Sequence, residues 1–201
     1  MRKSDKKIVK QLTKEENYSR IVKFLDGRIK KYPDDQELLY NFTLYLSLLT
    51  YLRKTKNIKK QRKKIKELYK NVILLNPRND ISYLAKARIE EEYTGNLKKV
   101  LENYKKVYKL NPSADNVLHL GNAYLAINKL KEAKKHFLIY YKKTKKKNIA
   151  YHIAMVCLKS NKLKEAKKWA IEYKRLLDKD NKYKNKNWYK HNYKEIEKIL
   201  G

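Results

Sequence analysis

The sequence predicts an all-α chain built from repeated helix pairs, on three observations. The same eight residues, Asn-Lys-Leu-Lys-Glu-Ala-Lys-Lys, stand at 128–135 and again at 161–168, an offset of 33. A period of that length marks one supersecondary unit that is stacked on copies of itself. Apolar residues recur at helical spacing between the charges. Only 4 Gly and 3 Pro are present in 201 residues, too few for the turns of a sandwich, a barrel or collagen. Although 36% of the residues are charged, 42% are apolar and periodically placed, so the chain can bury a core.

The units run in order along the chain, all 201 residues being expected to form one domain. The first, about 4–34, keeps Tyr18, Ile21 and Leu25 as an apolar stripe and closes at Pro33. In the second, about 35–79, Leu38, Phe42, Tyr45, Ile65, Tyr69 and Val72 face inward before Pro77. From Pro33 to Pro77 is 44 residues, so its first helix or turn carries roughly ten extra. The third, about 80–113, places Leu84, Ala87, Val100, Tyr104 and Val107 inside and ends at Pro112. In the fourth, about 114–146, a first helix over about 115–127 carries Val117, Leu120, Gly121 and Tyr124. Asn128 takes the turn, since Asn tolerates the left-handed conformation that ends a helix. A second helix over about 130–142 carries Ala133, Phe137 and Tyr140, with Gly121 and Ala133 where the two helices approach. The fifth, about 147–180, repeats this with Ala150, Ile153, Ala154, Cys157, Ala166, Ala170 and Tyr173. A last helix over 186–200, with Tyr189, Tyr193, Ile196 and Leu200 on one face, is expected to cap the array. Asp35, Asp80 and Ser113 mark helix starts.

These residues carry a resemblance to the tetratricopeptide repeat family. Its repeat of about 34 residues asks for two large residues, a small one and an aromatic on the first helix. On the second it asks for small, aromatic and small, with Pro at the close. Val117, Leu120, Gly121, Tyr124, Ala133 and Phe137 fit, while Tyr140 and Lys145 depart at the end. The third unit departs at Arg88 and Glu91, where small and aromatic residues are expected. The resemblance implies a right-handed solenoid of about five helix-turn-helix repeats plus the C-terminal cap, with first helices lining a concave groove. Tyr40, Thr43, Lys86, His119, Asn122, Tyr151, His152 and Met155 are then the expected groove residues, Ser47 beside them. Lys86, His119 and His152 share one repeat position, a row that could bind a partner's carboxylate or phosphate. The carboxylate clamp of some family members is not carried over, because Leu118 stands where its Lys is needed.

The net charge is +31, with 44 Lys against 8 Arg. Lys, Asn, Ile and Tyr together make 95 of the 201 residues, a bias that an AT-rich genome also produces. Dedicated nucleic-acid surfaces favour Arg, so a solvated lysine coat weighs against a nucleic-acid footprint. The densest basic run, 53–70, includes Arg53, Lys56, Lys60, Arg62, Lys63 and Lys64, with Ile65, Leu68, Tyr69 and Val72 turned inward if it is helical. Glu90, Glu91 and Glu92 read as a solvated helix face.

Chemistry finds little support. One Cys excludes a disulfide framework and a cysteine zinc site, and the two groove His lack a third metal ligand. The glycines are far apart, so no phosphate loop is present. No catalytic residue, metal or cofactor is expected. The longest uncharged run, 38–52, falls short of the ~20 apolar residues that span a bilayer. No apolar stretch follows Met1, so a secretory signal is not expected and a cytoplasmic setting is. The function expected is a non-catalytic adaptor that holds a peptide or helix of a partner with an acidic segment. The alternative is an RNA- or ribosome-associated protein that uses the lysine face.

Overall fold

The computed structural model describes residues 1–53, 57–178 and 187–200, with side chains for all of these except 53, 178 and 187–192. Among the described residues there are eleven helices and no strand. They are α1 (Lys3–Lys14), α2 (Tyr18–Lys31), α3 (Gln36–Arg53), α4 (Ile58–Leu75), α5 (Asp80–Ile89), α6 (Leu97–Leu110), α7 (Ala114–Ala126), α8 (Leu130–Thr144), α9 (Lys147–Lys159), α10 (Leu163–Asp178) and α11 (Asn187–Leu200). A single π-helical stretch, Glu90–Thr94, continues α5. The helices fall into two compact units, Met1–Leu110 and Asn111–Gly201.

In the first unit, each helix from α1 to α5 packs on the next in chain order, ending at α6. Ile21, Leu25, Leu38, Ile65, Tyr69, Val72, Val100, Tyr104 and Val107 are all buried, as their spacing predicts. Val9 and Leu12 of α1 complete the core at one end. Helix starts are fixed by side chains that accept from backbone N–H groups otherwise left without partners. Asp35 accepts from Leu38 N–H at 2.9 Å. The expected cap at Asp80 is one residue out: Asn79 caps α5, accepting from Ser82 N–H at 2.9 Å, and Asp80 is the first helical residue. Gln36 ties three helix ends together. Its amide donates to the Val72 carbonyl at 2.6 Å and to the Ser82 hydroxyl at 2.9 Å, and its carbonyl accepts from Asn79.

In the second unit, α7 pairs with α8, α9 with α10, and α11 packs on α9 and α10. Ser113 caps α7 as expected. The buried Asn116 donates to the Asn111 carbonyl at 2.8 Å and so holds the incoming chain. Both helix pairs turn through the same device. Asn128 and Asn161 are left-handed, at φ +59° and +55°. The N–H of the next residue bonds back to the Tyr124 and Cys157 carbonyls respectively, each at 2.9 Å, the signature of a Schellman cap. Gly95 at φ +69° occupies the equivalent place in the third pair, again 33 residues earlier.

Ala133, Phe137, Tyr140, Ala166, Ala170 and Tyr173 are buried, as the repeat requires. Tyr124 is only half-buried; its ring lies 5.2 Å from that of His136. The capping face of α11 also differs from the one expected. Ile196 and Ile199 are its buried residues, Tyr193 and Leu200 are half-buried, and the Tyr189 side chain lies outside those described.

Gly121 is where α7 and α8 meet. A Cβ there would sit 2.9 Å from two ring carbons of the fully buried Phe137. Gly121→Leu is therefore expected to lower the unfolding free energy by about 1–3 kcal/mol, because a close-packed site has no room for added methylenes. Gly27→Ala, with nothing within 4 Å, is expected to raise it by up to about 1 kcal/mol through helix propensity. Urea denaturation midpoints at constant slope check both signs.

Candidate functional site

The structure separates the expected groove residues into buried and accessible ones. Tyr40 and Thr43 do not line a groove. Thr43 is fully buried and its hydroxyl donates to the Leu39 carbonyl at 2.7 Å. Tyr40 is 7% exposed, its ring 6.3 Å from that of Tyr69. The reason is that α3 contacts α2, α4 and α5, so few of its positions are left facing water. The uncharged run 38–52 already hints at this, since a helix apolar all round is a buried one. Lys86 is half-buried and engaged: its ammonium donates to the Pro77 carbonyl at 3.2 Å and lies 4.6 Å from the Tyr83 ring centre.

In the second unit, α7 supplies His119, half-buried, and Asn122, exposed, while α9 supplies Tyr151, His152 and Met155, all half-buried. The His152 ring stacks on Phe137 at 5.7 Å with an interplanar angle of 28°. It also meets Tyr151 edge-on at 5.7 Å, and Tyr151 in turn lies 5.5 Å from Tyr173. Burial holds the His152 imidazole below its ordinary value of 6.5, so it is a neutral aromatic at pH 7. It therefore reads as a wall of the site rather than a cation in it. Lys86 belongs to the first unit and the two His to the second.

Of the expected basic patch, Lys60, Arg62, Lys63 and Lys64 are exposed on α4, while Lys56 and the Arg53 side chain lie outside what is described. Ile65, Tyr69 and Val72 point into the core and Leu68 is half-buried, so the apolar stripe of α4 is where the pattern puts it. Arg62 is not simply solvated: its guanidinium lies 5.3 Å from the Tyr93 ring centre and donates to the Glu92 carbonyl.

A cluster around Arg88 is one that the sequence pattern does not assign, though it carries a signal: Arg88 and Glu91 are the repeat positions that Gly121 and Tyr124 hold one unit later. Arg88 donates to Glu91 at 3.0 Å, and Ser47 donates to Glu92 at 2.9 Å. Of the acidic island, Glu92 is thus drawn inward, while Glu91 stays exposed as a solvated face would have it. Burial raises the Glu92 carboxyl above its ordinary value, the Ser47 bond and the Arg88 charge only partly opposing it. Burial, with Glu92 beside it, pushes the Tyr93 phenol up to about 12. The π-helical turn begins two residues after Arg88.

Cys157 is buried, and burial pushes its thiol up, away from the reactive thiolate. Beside it, Lys134 pairs with Glu165. Among the described residues no three His, Cys, Asp or Glu lie together as a metal site needs, and no helix is long and apolar enough to cross a membrane. A groove of about 740 Å³ runs between α8 and the start of α10, floored by Leu130, Leu138 and Ile139 and rimmed by Lys131, Lys135 and Lys142.

The helix hairpins, their left-handed turns and the small-on-aromatic contact can be set against solved structures. The protein TTC0263 of Thermus thermophilus, a thermophilic TPR protein, matches at TM-score 0.66 with 19% identity, over 98% of this chain and 97% of that one. This is the tetratricopeptide-repeat fold. A second protein with that fold, YrrB, matches at TM-score 0.51 and 12% identity over 82% of this chain and 80% of its own. MamA from Desulfovibrio magneticus RS-1 matches at 0.60 and 15% identity over 89% and 96%. At such identities the likeness is one of fold. Neither a family model nor a curated protein sequence matches the chain. The accessible faces of α7 and α9 carry polar and aromatic groups, exposed at Asn122 and half-buried at His119, Tyr151 and His152.

The depressed His152 pKa has a stability consequence. As pH falls below 6.5 the unfolded chain takes up a proton before the folded one does, so stability is lost until the folded pKa is passed. His152→Phe, which keeps a ring against Phe137, is expected to reduce this acid-induced loss. Urea midpoints of both proteins at pH 8 and pH 5 measure it; equal acid sensitivity contradicts the assignment.

Proposed function

We propose that the chain is a non-catalytic adaptor, cytoplasmic in setting, that holds a peptide or helix of a partner protein in the groove lined by the first helices of its pairs. The observation that carries this reading is the second-unit face. There His119, Asn122, Tyr151, His152 and Met155 lie on two first helices whose opposite faces are buried. Such a surface is rigid before the partner arrives, which spares the entropy of ordering it. YrrB is described as having an unusual peptide-binding site, which supports the same use here.

The partner segment is acidic. A net charge of +31 attracts an anionic segment over a Debye length and rejects a basic one. The expected result of affinity purification from the native cell is a protein partner that survives nuclease treatment and dissociates as salt rises. Asn122→Glu puts an acid on an exposed site and is expected to weaken capture about tenfold or more, as is His119→Ala combined with His152→Ala. Recovery that vanishes with ribonuclease, with neither variant changing it, would overturn the proposal in favour of an anionic polymer on the lysine face.

A further inference from the structure

The second helix hairpin is longer than those beside it, and the first unit holds a pocket at its turn end. Helices α3 and α4 have 18 residues each, against 12 and 14 in α1 and α2 and 14 in α6. The excess over a 14-residue helix is about one turn, roughly 5.4 Å. The pocket opens between the second half of α3, the first half of α4 and the end of α5, with a volume of about 780 Å³. That is within the range of sites that take a drug-sized group or a large side chain.

Its walls are of two kinds. Leu44, Leu48 and Ile65 form an apolar interior, and Tyr51 and Ile58 stand at the mouth, 78% and 37% exposed. Large apolar groups held in water at a concave site are the mark of a surface that becomes covered. The polar wall is Arg62, Arg88 and Glu92. Glu92 is already engaged by Ser47, and burial favours its neutral form. Arg88 is paired with Glu91 at 3.0 Å, so Arg62 is the exposed cation of this wall, and Lys59, Lys60 and Lys63 extend its charge along α4. Arg62 has used one donor on the Glu92 carbonyl, and its planar fork suits a carboxylate.

We infer that this pocket receives one bulky apolar side chain of a partner peptide, flanked by acidic residues that meet Arg62 and the α4 lysines. The inference rests on the adaptor reading and adds a second contact to it, at the hairpin tip and distinct from the face of α7 and α9. It also gives the basic run of α4 and the extra length of the α3–α4 hairpin one shared purpose.

The test is selection of random peptides displayed on phage against the full chain at physiological salt, then binding of the selected peptides to three full-length proteins. These are the wild type, a tip variant (Tyr51→Glu with Ile58→Glu) and the face variant Asn122→Glu. The substituted side chains are accessible, and circular dichroism with thermal unfolding confirms that each variant is folded. The expected result is enrichment of peptides with Phe, Trp or Leu between Asp or Glu. Their affinity should fall at least tenfold on the tip variant and on replacement of the apolar residue by Ala. Arg62→Glu should act in the same direction. Selected peptides that bind the tip variant as well as the wild type would overturn the inference, and if the face variant alone weakens them the adaptor reading stands without it. Enrichment by acidic charge alone, indifferent to the apolar residue, would also overturn it. No enrichment, together with no nuclease-resistant partner for the wild type, would remove both readings.

Discussion

Two antiparallel helices approach only as closely as their bulkiest facing residues permit, and in this chain that approach governs the rest. Gly121 lets the Phe137 ring lie where a Cβ would otherwise collide. With the ring seated, Ala133 and Tyr140 are buried on either side of it along α8, and His152 of α9 can stack on Phe137. The short link through Asn128 is possible only because the helices end close together. The left-handed residue and the backbone bond from Lys129 to Tyr124 then replace the hydrogen bonds that the helix end would lack. The same turn and the same buried small residues recur in the next pair at Asn161, Ala154 and Ala166.

In the third pair the small residue is absent and the packing changes. Val100 occupies the place of Ala133, and Arg88 that of Gly121. Arg88 turns to Glu91, and the helix beyond it widens into a π turn that presents Glu92 to Ser47 of α3. A π turn inside an α-helix is often associated with a working surface. Here its Glu92 lines the pocket between α3, α4 and the end of α5.

The charge is a property of the surface and not of the fold. Among the described residues some acids are committed to local pairs, such as Glu67 with Lys70 and Glu172 with Arg175. Hydrogen bonds from Arg175 and Tyr141 hold the Glu172 carboxyl down near about 2. The exposed lysines repel one another weakly and bias encounters toward anionic partners. Some ammonium groups also sit over aromatic rings, as those of Lys86 and Lys106 do at Tyr83.

Local rules made the helices, their turns and their inner stripes legible in the sequence. Helical spacing, cap chemistry at Asp35 and Ser113, and the left-handed tolerance of Asn128 all act within a few residues of one another. The burial of Ile65, Tyr69 and Phe137 follows from that spacing alone. What needed the tertiary structure were the polar residues whose partners lie far along the chain. Thr43 and Tyr40 look like groove residues until α2, α4 and α5 close around α3. Glu92 looks solvated until Ser47, 45 residues away, bonds to it. His152 looks like a cation until Phe137 and Tyr151 take its ring out of water. The charge and accessibility of such groups depend on what is packed against them, and a periodic pattern carries no information about that.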